Sequence, residues 1–312
     1  MEITGPGNSP FPRRRLGRNG PEVSLLGLGG AGFGGSYGVV SDDEAIDTVR
    51  RAIAGGITYI DTSPLYGESE RRLGLALRGV PRDRVALSTK TGTRPGSRGD
   101  YSAAATYASV SESLRLLGTD YIDLLLVHDP PDLRQALAPG GAVEALEDLK
   151  RQGVVRAIGL GVRDHALHRE AILSGRIDAV LTYLDYTLLR ATAADTILPL
   201  AAAHHIGVVN GSPLAMGLLS GDPDRHARGA PAWAAPSPAE LERARRLWRW
   251  ARARGLDLQA LALQVSLREP RIGATIVGAK TAAEVEGNIA AATASIPDGA
   301  WDELEREREA AG

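Results

Sequence analysis

The chain contains no cysteine among its 312 residues, which excludes disulfides, thiolate nucleophiles and cysteine-ligated zinc or iron–sulfur sites. It also has no long apolar run, since stretches such as 122–127 are far shorter than the ~20 residues that span a bilayer. The first residues lack the hydrophobic segment of a signal peptide, so we expect a cytoplasmic protein. Thirty-six basic and thirty-eight acidic side chains leave a formal charge of −2, which gives no sign of a nucleic-acid partner.

Lysine is scarce in this sequence. Of the 36 basic residues only three are lysine, namely Lys90, Lys150 and Lys280. Arginine stands wherever a generic cation suffices, whereas the lysine ammonium is a compact point charge whose pKa responds readily to its surroundings. A lysine that is retained is therefore a candidate for a role that arginine cannot fill.

Short β-branched runs alternate with longer helical patterns along the whole chain. The predicted strands are 24–29, 57–61, 85–89, 121–128, 157–160, 178–183, 206–210 and 275–278. The predicted helices are 42–54, 68–77, 103–117, 142–151, 167–173, 193–204, 238–254 and 258–267. Eight alternations in about 300 residues predict an α/β fold, a (β/α)8 TIM barrel, as one domain over 1–312 with residues 1–23 as an N-terminal hairpin or arm. A doubly wound sheet is the alternative.

A glycine motif after the first predicted strand has the spacing of a dinucleotide-binding fingerprint. It reads G-L-G-G-A-G over 27–32. That fingerprint requires a helix that opens at the third glycine and meets the pyrophosphate. We expect no helix before Ser41, so the motif is interpreted instead as a strand end and a flexible loop where glycine lets a ligand approach the backbone. A second long loop is predicted over 221–238.

Four ionisable residues lie at or just beyond the ends of three successive predicted strands: Asp61, Tyr66, Lys90 and His128. Strand ends of a β/α barrel converge on one face, which is where catalysis is found. Singly, each residue has an ordinary structural explanation as a capping, rim or strand-end side chain. Jointly, they indicate a catalytic site.

These four residues suit proton transfer to or from a carbonyl or hydroxyl oxygen. A free tyrosine has a pKa near ~10, and we expect the Lys90 ammonium to lower it for Tyr66. Asp61 would hold Lys90, His128 would hydrogen-bond the substrate oxygen, and Tyr66 would donate or accept the proton. None of the four can carry a hydride, so a redox reaction would need a cofactor.

The segments around these residues resemble the aldo-keto reductases. The resemblance rests on D-T-S-P-L-Y-G at 61–67, S-T-K at 88–90 and V-H at 127–128, and it extends from about Arg15 to Asn288. It implies a (β/α)8 barrel that binds an extended nicotinamide dinucleotide without a Rossmann motif. It also assigns the catalytic tetrad of the family to Asp61, Tyr66, Lys90 and His128.

Other segments resemble a sugar-oxidising branch of that family, the L-galactose, L-fucose and D-threo-aldose 1-dehydrogenases. They are S-P-L-A-M-G-L-L at 212–219, D-Y-T-L-L at 185–189 and the loop 233–238. The branch implies oxidation of the C1 hydroxyl of a free aldose. General reduction of aldehydes and ketones is the alternative within the family. Phe33 and Trp233, with Tyr66 and His128, are the predicted substrate contacts.

The cofactor site is predicted partly from this resemblance and partly from positions where this sequence differs from the wider family. Gly161 and Tyr183 occupy places where the wider family has serine and glutamine, so we expect a different nicotinamide pocket in which Tyr183 offers a stacking face. Glu284 aligns with an arginine that grips the 2′-phosphate in NADP-specific members of the family, which favours NAD over NADP. Two alternatives remain, namely that Glu284 closes a capping box with Thr281 and that Lys280 serves a phosphate. The full set of predicted cofactor contacts is Gly30, Asp61, Gly161, Tyr183, Ser212, Leu214, Gly217, Gly278, Lys280, Glu284 and Asn288.

Two further functions remain as alternatives to an oxidoreductase. A metal-dependent hydrolase would need clustered ligands, and His128 with Asp129 is the nearest approach to such a cluster. The adjacent His204 and His205 are expected at a helix end on the opposite face of the barrel, so no metal site is predicted there. The other alternative is a barrel that binds a nicotinamide cofactor as a sensor or regulatory subunit with little turnover.

Overall fold

The computed structural model describes residues 9–227, 232 and 235–309, and within them the chain forms strands β1–β10 and helices α1–α13. The strands are β1 (Arg13–Arg15), β2 (Glu22–Ser24), β3 (Leu26–Gly29), β4 (Tyr59–Asp61), β5 (Ala86–Thr91), β6 (Ile122–His128), β7 (Val155–Gly161), β8 (Ala179–Tyr183), β9 (Gly207–Gly211) and β10 (Ala274–Gly278). The helices are α1 (Ala31–Gly34), α2 (Asp42–Ala54), α3 (Ser69–Ala76), α4 (Ala103–Leu117), α5 (Arg134–Leu137), α6 (Ala142–Arg151), α7 (His165–Leu173), α8 (Ile197–Ala203), α9 (Pro223–Ala227), α10 (Pro238–Ala253), α11 (Leu258–Arg268), α12 (Ala282–Thr293) and α13 (Asp298–Glu309).

Strands β3 to β10 form a closed barrel of parallel strands. Their order around the ring is β10-β3-β4-β5-β6-β7-β8-β9, so each strand lies beside its successor in the chain. Because all eight strands run the same way, their carboxyl ends form one rim, which we call the mouth. The predicted (β/α)8 barrel is confirmed.

The N-terminal segment closes the other end of the barrel. Strands β1 and β2 pair antiparallel as a hairpin, and the fully buried Leu16 and Val23 belong to the same apolar cluster as Tyr59 and Leu124 inside the barrel. The predicted N-terminal hairpin is therefore present, although residues 1–8 lie outside the described part of the chain. Apolar side chains thus fill the barrel interior at this end, and the buried side chains of Asp61, Lys90 and His128 lie in the layer nearest the mouth.

Helix starts follow the capping signals of the sequence. The hydroxyls of Ser41 and Ser237 accept the N–H groups of Glu44 and Glu240, and each glutamate carboxylate accepts in return from the serine N–H. At α12 the reciprocal bond is displaced, because the Glu284 carboxylate accepts from the N–H of Lys280 at 2.7 Å. Exchanges of this kind satisfy backbone donors that a helix leaves unpaired at its first turn.

Some predicted elements differ from the structure. The expectation that no helix begins before Ser41 is wrong, because α1 forms one turn over 31–34 and ends at Gly35 with φ 97°. Glycine fits such a left-handed cap without steric cost. The predicted helix 193–204 begins later as α8, and the predicted loop 221–238 contains α9. Helices α5, α12 and α13 had no counterpart among the predicted helix ranges.

No described helix combines the length and the apolar character that crossing a bilayer requires.

Candidate active site

Strand register brings the predicted catalytic side chains to the mouth. Asp61, the last residue of β4, pairs with Ser88 of β5. Lys90 lies two residues further along β5 and pairs with Leu126 of β6, and His128 lies two residues beyond Leu126. Since alternate residues of a strand face the same side, Asp61, Lys90 and His128 all face the barrel interior.

Lys90 and Asp61 form a buried ion pair. The Lys90 Nζ lies 2.6 Å from Asp61 Oδ2 and 2.7 Å from the carbonyl oxygen of Thr62, and the Ser88 hydroxyl donates to Asp61 Oδ1 at 2.8 Å. The two charged side chains are only 1% and 2% exposed. Buried charges of this kind are tolerated when they are paired and hydrogen-bonded, as these are. The ammonium is thereby fixed in one position.

Tyr66 lies in the loop after β4, between Lys90 and His128. Its ring centroid is 4.9 Å from the Lys90 Nζ and 6.0 Å from the His128 ring, which stands at 90° to it. The expectation that Lys90 lowers the pKa of Tyr66 is wrong for this arrangement. Burial raises the pKa of the phenol well above its usual value of 10.0, and the Asp61 carboxylate raises it further. Because Asp61 Oδ2 lies 2.6 Å from the Lys90 Nζ, the carboxylate offsets the field of the ammonium at Tyr66. Tyr66 is therefore a neutral phenol at physiological pH.

His128 is a neutral imidazole. Burial lowers its pKa well below the usual value of 6.5, and the charges of Lys90 and Arg98 lower it further. The Nδ1 atom lies 2.8 Å from the buried hydroxyl of Thr93 and 3.2 Å from that of Ser63. We assign the Thr93 hydroxyl as the donor to Nδ1, because the Asp129 carboxylate lies 3.5 Å from Nε2 and favours a proton on that nitrogen. The ring proton is then on Nε2, where His128 acts as a hydrogen-bond donor.

Replacing Thr93 by valine tests this tautomer assignment. Loss of the donor to Nδ1 frees the ring to carry its proton on either nitrogen, and we expect kcat to fall by about tenfold with KM nearly unchanged. The ¹⁵N chemical shifts of His128 report the tautomer directly. Ser63→Ala is the control and should lower kcat less, since the Ser63 hydroxyl lies 3.2 Å from Nδ1 and that of Thr93 lies 2.8 Å from it. Unchanged ¹⁵N shifts in Thr93→Val would contradict the assignment.

The predicted cofactor residues occupy the neighbouring part of the mouth. Tyr183 ends β8, Ser212 follows β9, Gly278 ends β10 and Gly30 follows β3, and these four strands are consecutive around the ring. Gly161 ends β7 beside His128, with which it pairs. The mouth is thus divided between an arc that carries the ionisable side chains and an arc of glycine-rich strand ends.

Comparison with known proteins agrees with this geometry. A model of the aldo/keto reductase family matches residues 25–309. The chain belongs to the aldo/keto reductase family. It is therefore an oxidoreductase of carbonyl compounds that uses a nicotinamide cofactor.

Individual relatives cover nearly the whole chain. The Arabidopsis thaliana protein named L-galactose dehydrogenase is 36% identical over 291 residues, which are 90% of this chain and 88% of that protein. A Pseudomonas protein named D-threo-aldose 1-dehydrogenase is 34% identical over 316 residues, 93% of this chain and 95% of that protein. A solved structure described as an aldo-keto reductase from Pseudomonas aeruginosa has a TM-score of 0.69 at 29% identity, and it covers 92% of this chain and 97% of that one.

In this aldo/keto reductase the loop after β9 has an unusual backbone. Ser212, Ala215 and Met216 adopt left-handed φ values of 55°, 48° and 57°, and Gly217 follows at 91°. Non-glycine residues in this region are costly and concentrate at ligand-binding sites. No acceptor for the N–H of Leu214 is present among the described residues. Such a donor in a strained loop suits the phosphates of a dinucleotide.

The start of α12 is a second place suited to phosphate. The Lys280 ammonium has no ion-pair partner within the described part of the chain, and Gly278 leaves open space where a side chain would lie. The Glu284 carboxylate lies against the Lys280 N–H at 2.7 Å. The Asn288 amide donates to the Gly278 carbonyl at 3.3 Å and accepts from Gln259 at 2.8 Å. Asn288 therefore holds the β10–α12 connection in place.

Two of the predicted contacts have a different role in the structure. Phe33 belongs to α1 and is fully buried in the core, so its prediction as a substrate contact is wrong. Gly30 is buried as well, and a Cβ there would lie 2.5 Å from the Ser69 hydroxyl, so close packing rather than a ligand requires glycine. Tyr37, missed by the sequence analysis, is 44% exposed and contributes to raising the pKa of Tyr66. Trp233 lies outside the described residues.

No metal-binding group of three or more histidine and acidic side chains occurs in the part of the chain that the structure describes. His204 and His205 follow α8 and precede β9, so they lie at the end of the barrel opposite the mouth, as expected.

Proposed function

We propose that this aldo/keto reductase is an aldose 1-dehydrogenase that prefers NAD, with Tyr66 as its general acid and base. The observation that carries the proposal is the cluster at the mouth, where the Tyr66 ring lies 4.9 Å from the Lys90 ammonium and 6.0 Å from the His128 ring. This cluster provides a proton carrier and a hydrogen-bond donor beside an arc suited to a dinucleotide. Those are the groups that interconversion of an alcohol and a carbonyl requires.

The residues of the second arc fit a nicotinamide dinucleotide. The N–H of Leu214 and the Lys280 ammonium are available to phosphate oxygens. Tyr183 at the end of β8 offers a ring face beside the catalytic arc. When bound, the nicotinamide accepts the hydride from C1 in oxidation and supplies it in reduction.

The proton is handled by the chain itself. In reduction the Tyr66 phenol gives its proton to the carbonyl oxygen, and in oxidation the phenolate form of Tyr66 removes the proton of the C1 hydroxyl. The neutral His128 donates a hydrogen bond from Nε2 to the same oxygen, which fixes the oxygen within reach of Tyr66. Asp61 holds the Lys90 ammonium in place beside the phenol.

The sugar substrate is supported by the relatives. Both curated relatives described above carry names of sugar dehydrogenases, and each covers at least 88% of its own length in the match. Substrate loops vary more between relatives than the barrel that carries them, so the class of substrate is inferred here and not the individual sugar.

Glu284 supports the preference for NAD. Its carboxylate at the start of α12 would repel a 2′-phosphate and accept a hydrogen bond from a free 2′-hydroxyl. We expect Glu284→Arg to shift the ratio of kcat/KM for NAD to that for NADP by at least about tenfold toward NADP, which corresponds to ~1.4 kcal/mol. Glu286→Arg, on the same helix but ion-paired with Arg51, is the matched control. An unchanged ratio in Glu284→Arg would contradict the assignment.

A substrate panel tests the proposed function. Free aldoses and simple aldehydes are assayed with NAD and with NADP at the nicotinamide absorbance, with Tyr66→Phe as the control protein. We expect oxidation of aldoses with NAD in the wild type and none above background in the control. Activity confined to simple aldehydes would indicate a general reductase, and cofactor binding without turnover would indicate a regulatory subunit.

A further inference from the structure

Asp129 directs a carboxylate into the mouth beside the catalytic histidine. It directly follows the last residue of β6, and its backbone adopts a left-handed φ of 42°. The N–H of Asp129 donates to the carbonyl oxygen of Gly161 at 2.9 Å, which holds this bend. Aspartate and asparagine tolerate this conformation better than most residues, although it is still costly. The strained backbone of Asp129 therefore lies at the edge of the candidate active site.

The carboxylate is incompletely satisfied where it lies. Its Oδ2 is 3.5 Å from His128 Nε2, and its Oδ1 is 3.4 Å from the Tyr183 hydroxyl, so both contacts are at the outer limit of a hydrogen bond. No arginine or lysine forms an ion pair with it within the described residues. The side chain is 38% exposed. A carboxylate offers about four lone-pair sites, so most of its accepting capacity remains available to a ligand.

We propose that Asp129 determines substrate specificity by accepting hydrogen bonds from hydroxyl groups next to the reacting carbon of a polyhydroxylated substrate. This inference rests on the proposed function, because the reacting oxygen is placed at His128 Nε2. A hydroxyl on the adjacent carbon then lies on the side of Asp129, whose carboxylate is 3.5 Å from the same nitrogen.

The chemistry favours polyols over simple aldehydes. Hydrogen bonds to a charged acceptor are stronger than those between neutral groups, and they hold a substrate in one orientation. A simple aldehyde lacks the matching hydroxyl and would leave the carboxylate desolvated without compensation. Burial already raises the pKa of Asp129 above its usual value, in agreement with a partly desolvated group. The same carboxylate thus attracts one class of substrate and disfavours the other.

Two variants keep the left-handed bend while they remove the charge. Asp129→Asn is nearly isosteric, and Asp129→Gly removes the side chain at a φ that glycine adopts freely. Asp132→Asn is the matched control, because this carboxylate is 37% exposed in the same loop but is paired with Arg134. Each protein is assayed for oxidation of an aldose and for reduction of an aldehyde without hydroxyl groups.

We expect both Asp129 variants to lower kcat/KM for the aldose by about 10- to 100-fold, mainly through KM, while kcat/KM for the simple aldehyde is unchanged or rises. Asp132→Asn should change neither. Equal losses on both substrates would overturn the inference, since Asp129 would then act on the reaction or on His128. No loss on either would overturn it as well. If the wild type reduces the simple aldehyde but oxidises no aldose, the proposed function itself fails, and the inference fails with it.

Discussion

Replacing Tyr66 by phenylalanine is expected to lower kcat by about 10³-fold, within the range that general acid–base catalysis contributes. The variant removes one hydroxyl and keeps the ring. The T-shaped contact of the ring with His128 and its contact with the Lys90 ammonium are therefore retained. Within the described residues the Tyr66 hydroxyl has no protein partner, so we expect the free energy of unfolding to change by less than about 0.5 kcal/mol.

The measurements for this variant are steady-state kinetics, cofactor affinity by fluorescence titration, and denaturant unfolding. Cofactor affinity should match that of the wild type, because Tyr66 lies on the catalytic arc. Tyr37→Phe is the control, since it removes a second phenolic hydroxyl near Tyr66 and should retain activity within about twofold. Full turnover by Tyr66→Phe would refute the assigned proton carrier.

Replacing Lys90 by methionine is expected to reduce both stability and activity. The substitution leaves the Asp61 carboxylate, 2% exposed, without its cation. Breaking a buried ion pair from one side costs about 3–5 kcal/mol of unfolding free energy. Because the phenol also loses the ammonium beside it, we expect kcat/KM to fall by at least about 10²-fold.

A double variant separates the two effects. Asp61→Asn combined with Lys90→Met removes the orphaned charge and should recover stability relative to Lys90→Met, but it should recover no activity. Lys150→Met is the matched control, because Lys150 forms a 2.5 Å ion pair with Asp178, which is 6% exposed, away from the mouth. That control should lose stability and retain kcat. Equal activity in Lys90→Met and the wild type would contradict the assigned role of Lys90.

The sequence was sufficient to predict the barrel and the four ionisable residues at its mouth. In a parallel barrel the carboxyl ends of all strands lie on one rim, so the positions of Asp61, Lys90 and His128 at predicted strand ends were enough to predict that they lie together. The predicted boundaries of α2, α4 and α6 agree with the structure. For α2 and α4 the local signals are the capping residues Ser41 and Ser102 and the terminal glycines Gly55 and Gly118.

What could not be predicted depends on contacts between distant segments. The direction of the Tyr66 pKa shift depends on burial and on how closely Asp61 neutralises Lys90, and neither is visible in the order of residues. Phe33 enters the core because the one-turn α1 rotates it inward. Thr93 reaches the ring of His128 from 35 positions away. Helix α13 has few apolar residues of its own, and its Leu304 is buried in an apolar cluster with residues of α10 and α11.

The pH dependence of kcat/KM for aldose oxidation, measured with C1-protiated and C1-deuterated sugar, tests whether Tyr66 carries the proton. The raised pKa keeps Tyr66 protonated at neutral pH, and oxidation requires the phenolate as proton acceptor. We therefore expect kcat/KM to rise by about tenfold per pH unit from neutral pH into the alkaline range, and we expect no such rise for Tyr66→Phe. A profile that stays flat between about pH 7 and 10 with a full isotope effect, so that hydride transfer limits the rate throughout, would contradict it.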